Sequence, residues 1–150
     1  MCGPAGSGKS TLAGRLEAEG YARLSFDEVA WGRGHRAHPL PAAAAREVHD
    51  ELRERLVSLV QRGADVVVDS SFWSRASRSE YRELLAQHGV EPVTYYLATP
   101  RDVALARVAG RAGAGPHDVT LPAATAGAHV DGFEVPTADE GPLHVVGWAG

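Results

Sequence analysis

Lysine is almost missing from this chain: of 15 basic side chains among 150 residues, fourteen are arginine and one is Lys9. Cysteine is as scarce. Cys2 stands alone, so no internal disulfide can form, and the expected setting is a reducing cytoplasm. No apolar run approaches the length of a membrane span, which excludes a helical membrane protein, and no charged-then-apolar leader opens the sequence. Positive charge is in deficit too: 19 acidic side chains leave a net charge of −4. A broad electrostatic footprint for nucleic acid is thereby excluded, although a local basic groove is not. What is present is ordinary for a globular protein, 44% apolar and 23% charged, and too apolar for wholesale disorder. The length suits one domain, 1–150, with a core that needs no staples. Abundant Ala, Gly, Pro, Val and Arg read as a GC-rich coding sequence. Against that background the single lysine is informative, because a compact ammonium and a planar guanidinium are not interchangeable at a crowded phosphate.

Periodicity predicts alternating helices and strands. Leu12 and Leu16 begin a helix that Gly20 ends, and Tyr21 to Ser25 forms a short strand. Residues 31–45 read as a loop, after which Val48, Leu52, Leu56, Leu59 and Val60 trace one helical face as far as Gly63. Val66-Val67-Val68 is a β-branched run suited to a buried strand. Ser77 with Glu80 reads as a capping box before Tyr81, Leu84 and Leu85. Val93 to Leu97 is the next strand, and Thr99, Pro100 and Asp102 start a helix towards Arg111. Residues 113–132 are rich in Gly, Ala and Pro and read as mobile, and Leu143 to Val146 closes the pattern as a strand. This alternation predicts an α/β fold with a parallel sheet.

Gly3-Pro4-Ala5-Gly6-Ser7-Gly8-Lys9-Ser10 satisfies G-x-x-x-x-G-K-[ST]. Backbone N–H groups in such a loop point inward as a nest for phosphate oxygens, and the helix that follows adds its positive end. Lys9 would reach the outer phosphates of a nucleoside triphosphate, ATP before GTP, and Ser10 would ligate Mg²⁺. A loop of this kind hangs from a buried strand, yet only Met1 and Cys2 precede Gly3. The first, central strand is therefore expected to be largely absent. A misassigned start is the favoured explanation, ahead of a shortened chain or another segment in that slot.

Asp27 follows the second strand, where strand ends share a crevice with the phosphate loop. Its carboxylate could take a proton from an attacking hydroxyl or hold the shell around Mg²⁺, or it could simply cap the next helix. Asp69 ends the valine strand, where it could position Mg²⁺ or its water. Ser70 and Ser71 either face a substrate or form a capping turn. Arg107 and Arg111, four apart on a helix, could close over phosphates, or they could lie on a solvated face. Arg75, Arg78 and Arg82 form a second stripe that reads as solvated surface, with a substrate-facing anionic patch as the sharper alternative. His35 and His38 read as loop rather than metal ligands, and Trp31 and Trp73 as core or pocket wall, although two aromatics beside a groove could hold a base or an antibiotic ring.

The motifs together resemble small P-loop kinases of the zeta-toxin and polynucleotide-kinase type, often described as AAA-domain ATP-binding proteins. The resemblance rests on Gly3 to Thr11, Ser25-Phe26-Asp27-Glu28, Val66 to Phe72, Tyr96-Leu97-Ala98-Thr99-Pro100, Arg107 with Arg111, and Phe133-Glu134-Val135-Pro136. It implies a three-layer fold in which a parallel sheet is flanked by helices. It also implies a kinase that uses ATP and Mg²⁺ to phosphorylate a hydroxyl, on a small molecule or a nucleic-acid 5′ end; the rival readings are a nucleotide-binding ATPase or regulatory module without an acceptor, and an inactive N-terminally truncated fragment. In such a kinase Gly3, Ala5, Gly6, Ser7, Gly8, Lys9, Ser10, Thr11 and Arg107 would bind the nucleotide, with Ser10 and Asp69 at the metal. Lys9, Asp27 and Arg111 would be catalytic, Asp27 as general base, and the segment at about 107–132 would form a mobile lid. Two departures accompany the missing strand. Ala30 and Trp31 stand where relatives often carry an arginine, and Pro122 and Gly127 weaken any helix in the lid.

Overall fold

Four parallel strands and six helices alternate through residues 1–148, which the computed structural model describes. The strands are β1 (Ala22–Ser25), β2 (Val66–Asp69), β3 (Thr94–Ala98) and β4 (Leu143–Gly147). The helices are α1 (Lys9–Ala18), α2 (Phe26–Gly32), α3 (Ala42–Gln61), α4 (Arg75–Ala86), α5 (Arg101–Ala109) and α6 (Ala123–Asp131). β1 pairs with β2 from Ala22 opposite Val66 to Ser25 opposite Asp69, and β3 pairs with β4 from Thr94 opposite Leu143.

Between these two pairs lie only the first three residues. The Met1 nitrogen donates to the Val68 carbonyl at 2.9 Å. On the other side Cys2 donates to Tyr95 at 2.7 Å and accepts from Leu97 at 3.0 Å, a single parallel bridge to β3. The central strand is thus reduced to a rung, as the sequence predicts. It still joins β2 to β3, and Cys2 is fully buried there.

The side-chain period of two along β2 explains the layering. Val66 and Val68 pack with Leu24, Val48, Leu52, Leu56, Tyr81 and Leu85. Val67 turns the other way, to Ala13, Leu97, Leu12 and Leu16. Helices α2, α3 and α4 therefore cover one face of the sheet and α1 the other, giving the expected three layers. In α3, Val48, Leu52 and Leu56 are spaced at four and are at most 2% exposed, so the apolar stripe read from the sequence is the buried face.

Four local readings change. The loop expected over 31–45 is shorter at both ends: Phe26–Gly32 is helix α2, which Ser25 caps by accepting from the Glu28 N–H at 3.3 Å, and α3 already starts at Ala42. The capping box of α4 is Ser74 with Ser77, one turn earlier than Ser77 with Glu80. The 113–132 stretch contains helix α6 despite Gly127. Pro122 stands just outside its first turn, where a missing N–H costs nothing.

Arg78, expected at a solvated surface, is 3% exposed. It donates from Nε and Nη2 to Glu140 at 2.6 and 2.9 Å, and from Nη1 to the Phe72 and Glu134 carbonyls. Arg82 likewise reaches the Pro142 carbonyl at 3.3 Å, and also Thr94 Oγ1 at 2.6 Å and the Pro92 carbonyl at the start of β3. The stripe on α4 is therefore a clamp on the segment leading into β4. Among the described residues no helix is long and apolar enough to cross a membrane.

Candidate functional site

Every predicted site residue from Ala5 to Arg111 lines one cavity of about 890 Å³, at the carboxyl ends of the strands; Gly3 alone lies behind its wall. The cavity floor is the phosphate loop. Gly8 caps α1 at φ 96° and offers no side-chain acceptor to the first-turn N–H groups, which also lack partners within the helix. Gly6, at φ 80°, lies so close to α5 that a Cβ would sit 2.2 Å from the Ala104 carbonyl oxygen.

Distant elements hold the loop in shape. Thr99, expected to cap α5, donates instead from Oγ1 to the Ser7 carbonyl at 2.9 Å. Arg107 Nη1 reaches the Gly6 carbonyl at 3.2 Å, and the Gly3 N–H donates to Ser71 at 3.1 Å. Lys9 Nζ crosses the loop to the Gly3 and Pro4 carbonyls at 2.8 and 2.9 Å. Burial pulls the Lys9 ammonium down from its usual value, against the opposing charges of Asp69 and Asp27.

Asp27 stands in the first turn of α2 and lines the cavity without capping the helix. Burial pushes its carboxyl above the usual carboxylate range, and the neighbouring His38 and Lys9 pull against that shift. His38 Nε2 lies 3.6 Å from Asp27 Oδ1. Its imidazole is pushed below the usual histidine value by burial, opposed by Asp27 and aided by Arg111.

Asp69 is deeply buried, and its Oδ2 accepts from Arg23 Nη2 at 2.7 Å. The same guanidinium lies 3.0 Å from His117 Nε2, which in turn is 2.8 Å from Glu28 Oε1. The predicted metal acid is therefore half-committed to an ion pair. No group of three or more His, Cys, Asp or Glu is placed to hold a metal ion among the described residues. One hydroxyl (Ser10) and one carboxylate (Asp69) fit a Mg²⁺ that keeps its remaining bonds to water and triphosphate oxygens. The uncapped helix start and the glycine-lined loop likewise fit phosphate oxygens.

Arg107 and Arg111 both line the cavity, but α5 ends at Ala109. Arg111 therefore stands beyond the helix, donating to the Val119 carbonyl at 3.2 Å. Arg107 has its guanidinium carbon 4.4 Å above the Trp148 ring.

Sequence reasoning missed His38 and Trp148, which line the cavity, and Arg23, which holds Asp69 from outside its lining. Trp148 follows β4 directly, and the strand-end rule that found Asp27 and Asp69 applied to it as well. His38 comes from a loop whose return to the sheet no periodicity encodes. Arg23 lies within a strand and gave no signal.

The sequence matches the family described as AAA domain over residues 1–136. No curated protein matches it. Among solved structures, a gluconokinase from Sinorhizobium meliloti 1021 superposes with a TM-score of 0.68 at 23% identity, covering 97% of this chain and 79% of that one. That likeness extends to the fold, parallel strands flanked by helices with a phosphate loop at the strand ends.

Proposed function

We propose, from the premise that this chain belongs to the AAA domain family over residues 1–136, that it is an ATP- and Mg²⁺-dependent kinase acting on a hydroxyl. The observation that carries this reading is the lone lysine and a carboxylate with a raised proton affinity, Lys9 and Asp27, lining one cavity with the phosphate loop. A base serves water and an acceptor hydroxyl alike, but the apolar lining of Phe26, Pro39 and Leu40 beside it suits an acceptor larger than water.

In this reading the loop amides, Lys9 and Ser10 hold the triphosphate, and Thr11 flanks them at the start of α1. Trp148 and Arg107 form a ring-and-guanidinium surface on which a nucleobase would stack. Mg²⁺, held by Ser10 with Asp69 nearby, would neutralise phosphate charge. Asp27 takes the proton as the acceptor oxygen bonds to the γ-phosphorus and the bond to the ADP oxygen breaks. Arg111 balances the charge that develops on the transferring group. Residues 107–132, which carry Arg107 and Arg111, act as the lid.

The test is ADP formation with and without candidate acceptors in wild type, Lys9→Ala and Asp27→Asn. Lys9→Ala abolishes all turnover. Asp27→Asn lowers acceptor phosphorylation by about 10²–10⁴ and leaves acceptor-independent hydrolysis in place. Undiminished turnover in Lys9→Ala would sink the reading.

A further inference from the structure

The cations of the cavity are divided unevenly. Lys9 and Arg15 line it from the loop and α1, Arg107 and Arg111 from α5 and just beyond. In the kinase reading Lys9, Arg107 and Arg111 serve the nucleotide and its phosphates, although the charge of Arg111 also reaches His38. The opposite wall, from α2, the 34–41 loop and the start of α3, contributes Phe26, Asp27, His38, Pro39, Leu40 and Ala45. Three arginines lie in that stretch, and none lines the cavity. Arg33 is turned outward to Glu47 and Glu51 at 3.0 and 2.8 Å, and Arg36 lies 4.0 Å over the Trp31 ring. Arg46 is exposed on α3.

An acceptor must therefore meet one carboxylate, one imidazole and an apolar surface. A carboxylate or phosphate group brought to this wall would face Asp27 with no cation on the wall itself; the charges within reach, Lys9 at Asp27 and Arg111 at His38, are taken by the triphosphate in the kinase reading, and a desolvated charge without a partner is strongly disfavoured. An uncharged polyol meets no such cost. Its C–H faces can lie on Phe26 and Leu40, its reacting hydroxyl on Asp27, and a neighbouring hydroxyl on the imidazole, which both donates and accepts. The ring of His38 is held 6.4 Å from that of Phe26 and 3.6 Å from the Asp27 carboxylate, a span that suits vicinal hydroxyls.

Resting on the kinase reading, we infer that the acceptor is an uncharged polyhydroxylated small molecule. It is seated against Phe26 and Leu40 with a second hydroxyl on His38, and anionic acceptors are excluded.

The experiment measures phosphoryl transfer from ATP to matched pairs that differ only in one terminal group: glycerol and glycerate, erythritol and erythronate, xylitol and xylonate, glucitol and gluconate. A 5′-hydroxyl oligothymidylate completes the panel. At least one neutral member is phosphorylated, with kcat/KM roughly tenfold or more above its acid, as expected for one uncompensated polar group. His38→Leu raises KM for that polyol by a similar factor, His38→Gln restores part of it, and Arg36→Ala leaves it alone. Equal or greater use of an acid or of the oligonucleotide overturns the inference. So does an unchanged KM in His38→Leu, or phosphorylation of no neutral member alongside Lys9-dependent ATP hydrolysis. Absence of any Lys9-dependent turnover overturns instead the kinase reading beneath it.

Discussion

Replacing Gly6 with alanine separates two costs that glycine avoids at the phosphate loop. The first is conformational: at φ 80° an L-residue sits in the left-handed region, a cost of about 1–2 kcal/mol. The second is steric. The new Cβ would stand 2.2 Å from the Ala104 carbonyl oxygen, 2.9 Å from its carbon and 3.1 Å from its Cα, all backbone of α5 and unable to rotate away. Overpacking of this kind costs about 1–3 kcal/mol. Gly63 supplies the control, because it has φ 73° and a methyl added there would meet nothing within 4 Å. Gly63→Ala therefore meets the first cost alone. At about 2–4 °C per kcal/mol for a chain of this size, Gly6→Ala melts about 2–12 °C below Gly63→Ala. Thermal unfolding followed by circular dichroism at matched pH and salt makes the comparison. Nucleotide titration adds a second readout, since only Gly6→Ala displaces the loop. Equal melting temperatures in the two variants would refute the claim that α5 presses the loop into shape.

The acid limb of acceptor phosphorylation follows Asp27. A base must be ionised to act, and burial raises this carboxyl, so activity falls with decreasing pH above the ordinary carboxylate range, and Asp27→Asn removes the limb from kcat/KM profiles. Arg78→Met leaves Glu140, at 5% side-chain exposure, buried without its partner. It destabilises by about 3–5 kcal/mol in urea titrations, and Glu140→Leu in the same chain recovers most of that. Glu140 itself is held below its usual value by Arg78, so its contribution is full above about pH 4.3 and is lost as pH falls through the lowered value; Glu140→Gln flattens that part of the stability curve. Trp148→Ala removes a stacking surface worth about 1–3 kcal/mol per base and raises KM for ATP accordingly, while leaving the melting temperature close to wild type because Trp148 is 41% exposed.

The elements most legible in the sequence were those whose own side chains decide their surroundings. The spacing of Val48, Leu52 and Leu56 describes a helix with one buried face, and the β-branched run Val66 to Val68 suits a strand buried on two. The phosphate loop was equally plain, because its glycines, lysine and serine each answer a local demand. Asp27 and Asp69 could be placed near it by the geometry of strand ends. Their partners could not. Arg23 meets Asp69 across 46 residues and His38 meets Asp27 through the return of a loop, contacts fixed by packing rather than by spacing. Arg78 was misread for a related reason: an arginine in a helix stripe looks the same whether water or a carboxylate such as Glu140 awaits it. The capping box slipped by a turn because Ser74 and Ser77 are both competent caps, and the chain entering from Phe72 and Trp73 decided between them.

The ties that shape the phosphate loop span most of the chain: Thr99 to Ser7 across 92 residues and Arg107 to Gly6 across 101. Closing such long loops costs entropy before any contact repays it. The nest of amides is therefore a late product of folding, assembled only after β3 and α5 have docked, although its residues are among the first in the chain. A nucleotide then acts as a selective ligand of the finished molecule, raising its apparent stability by mass action and slowing its unfolding more than it speeds its folding.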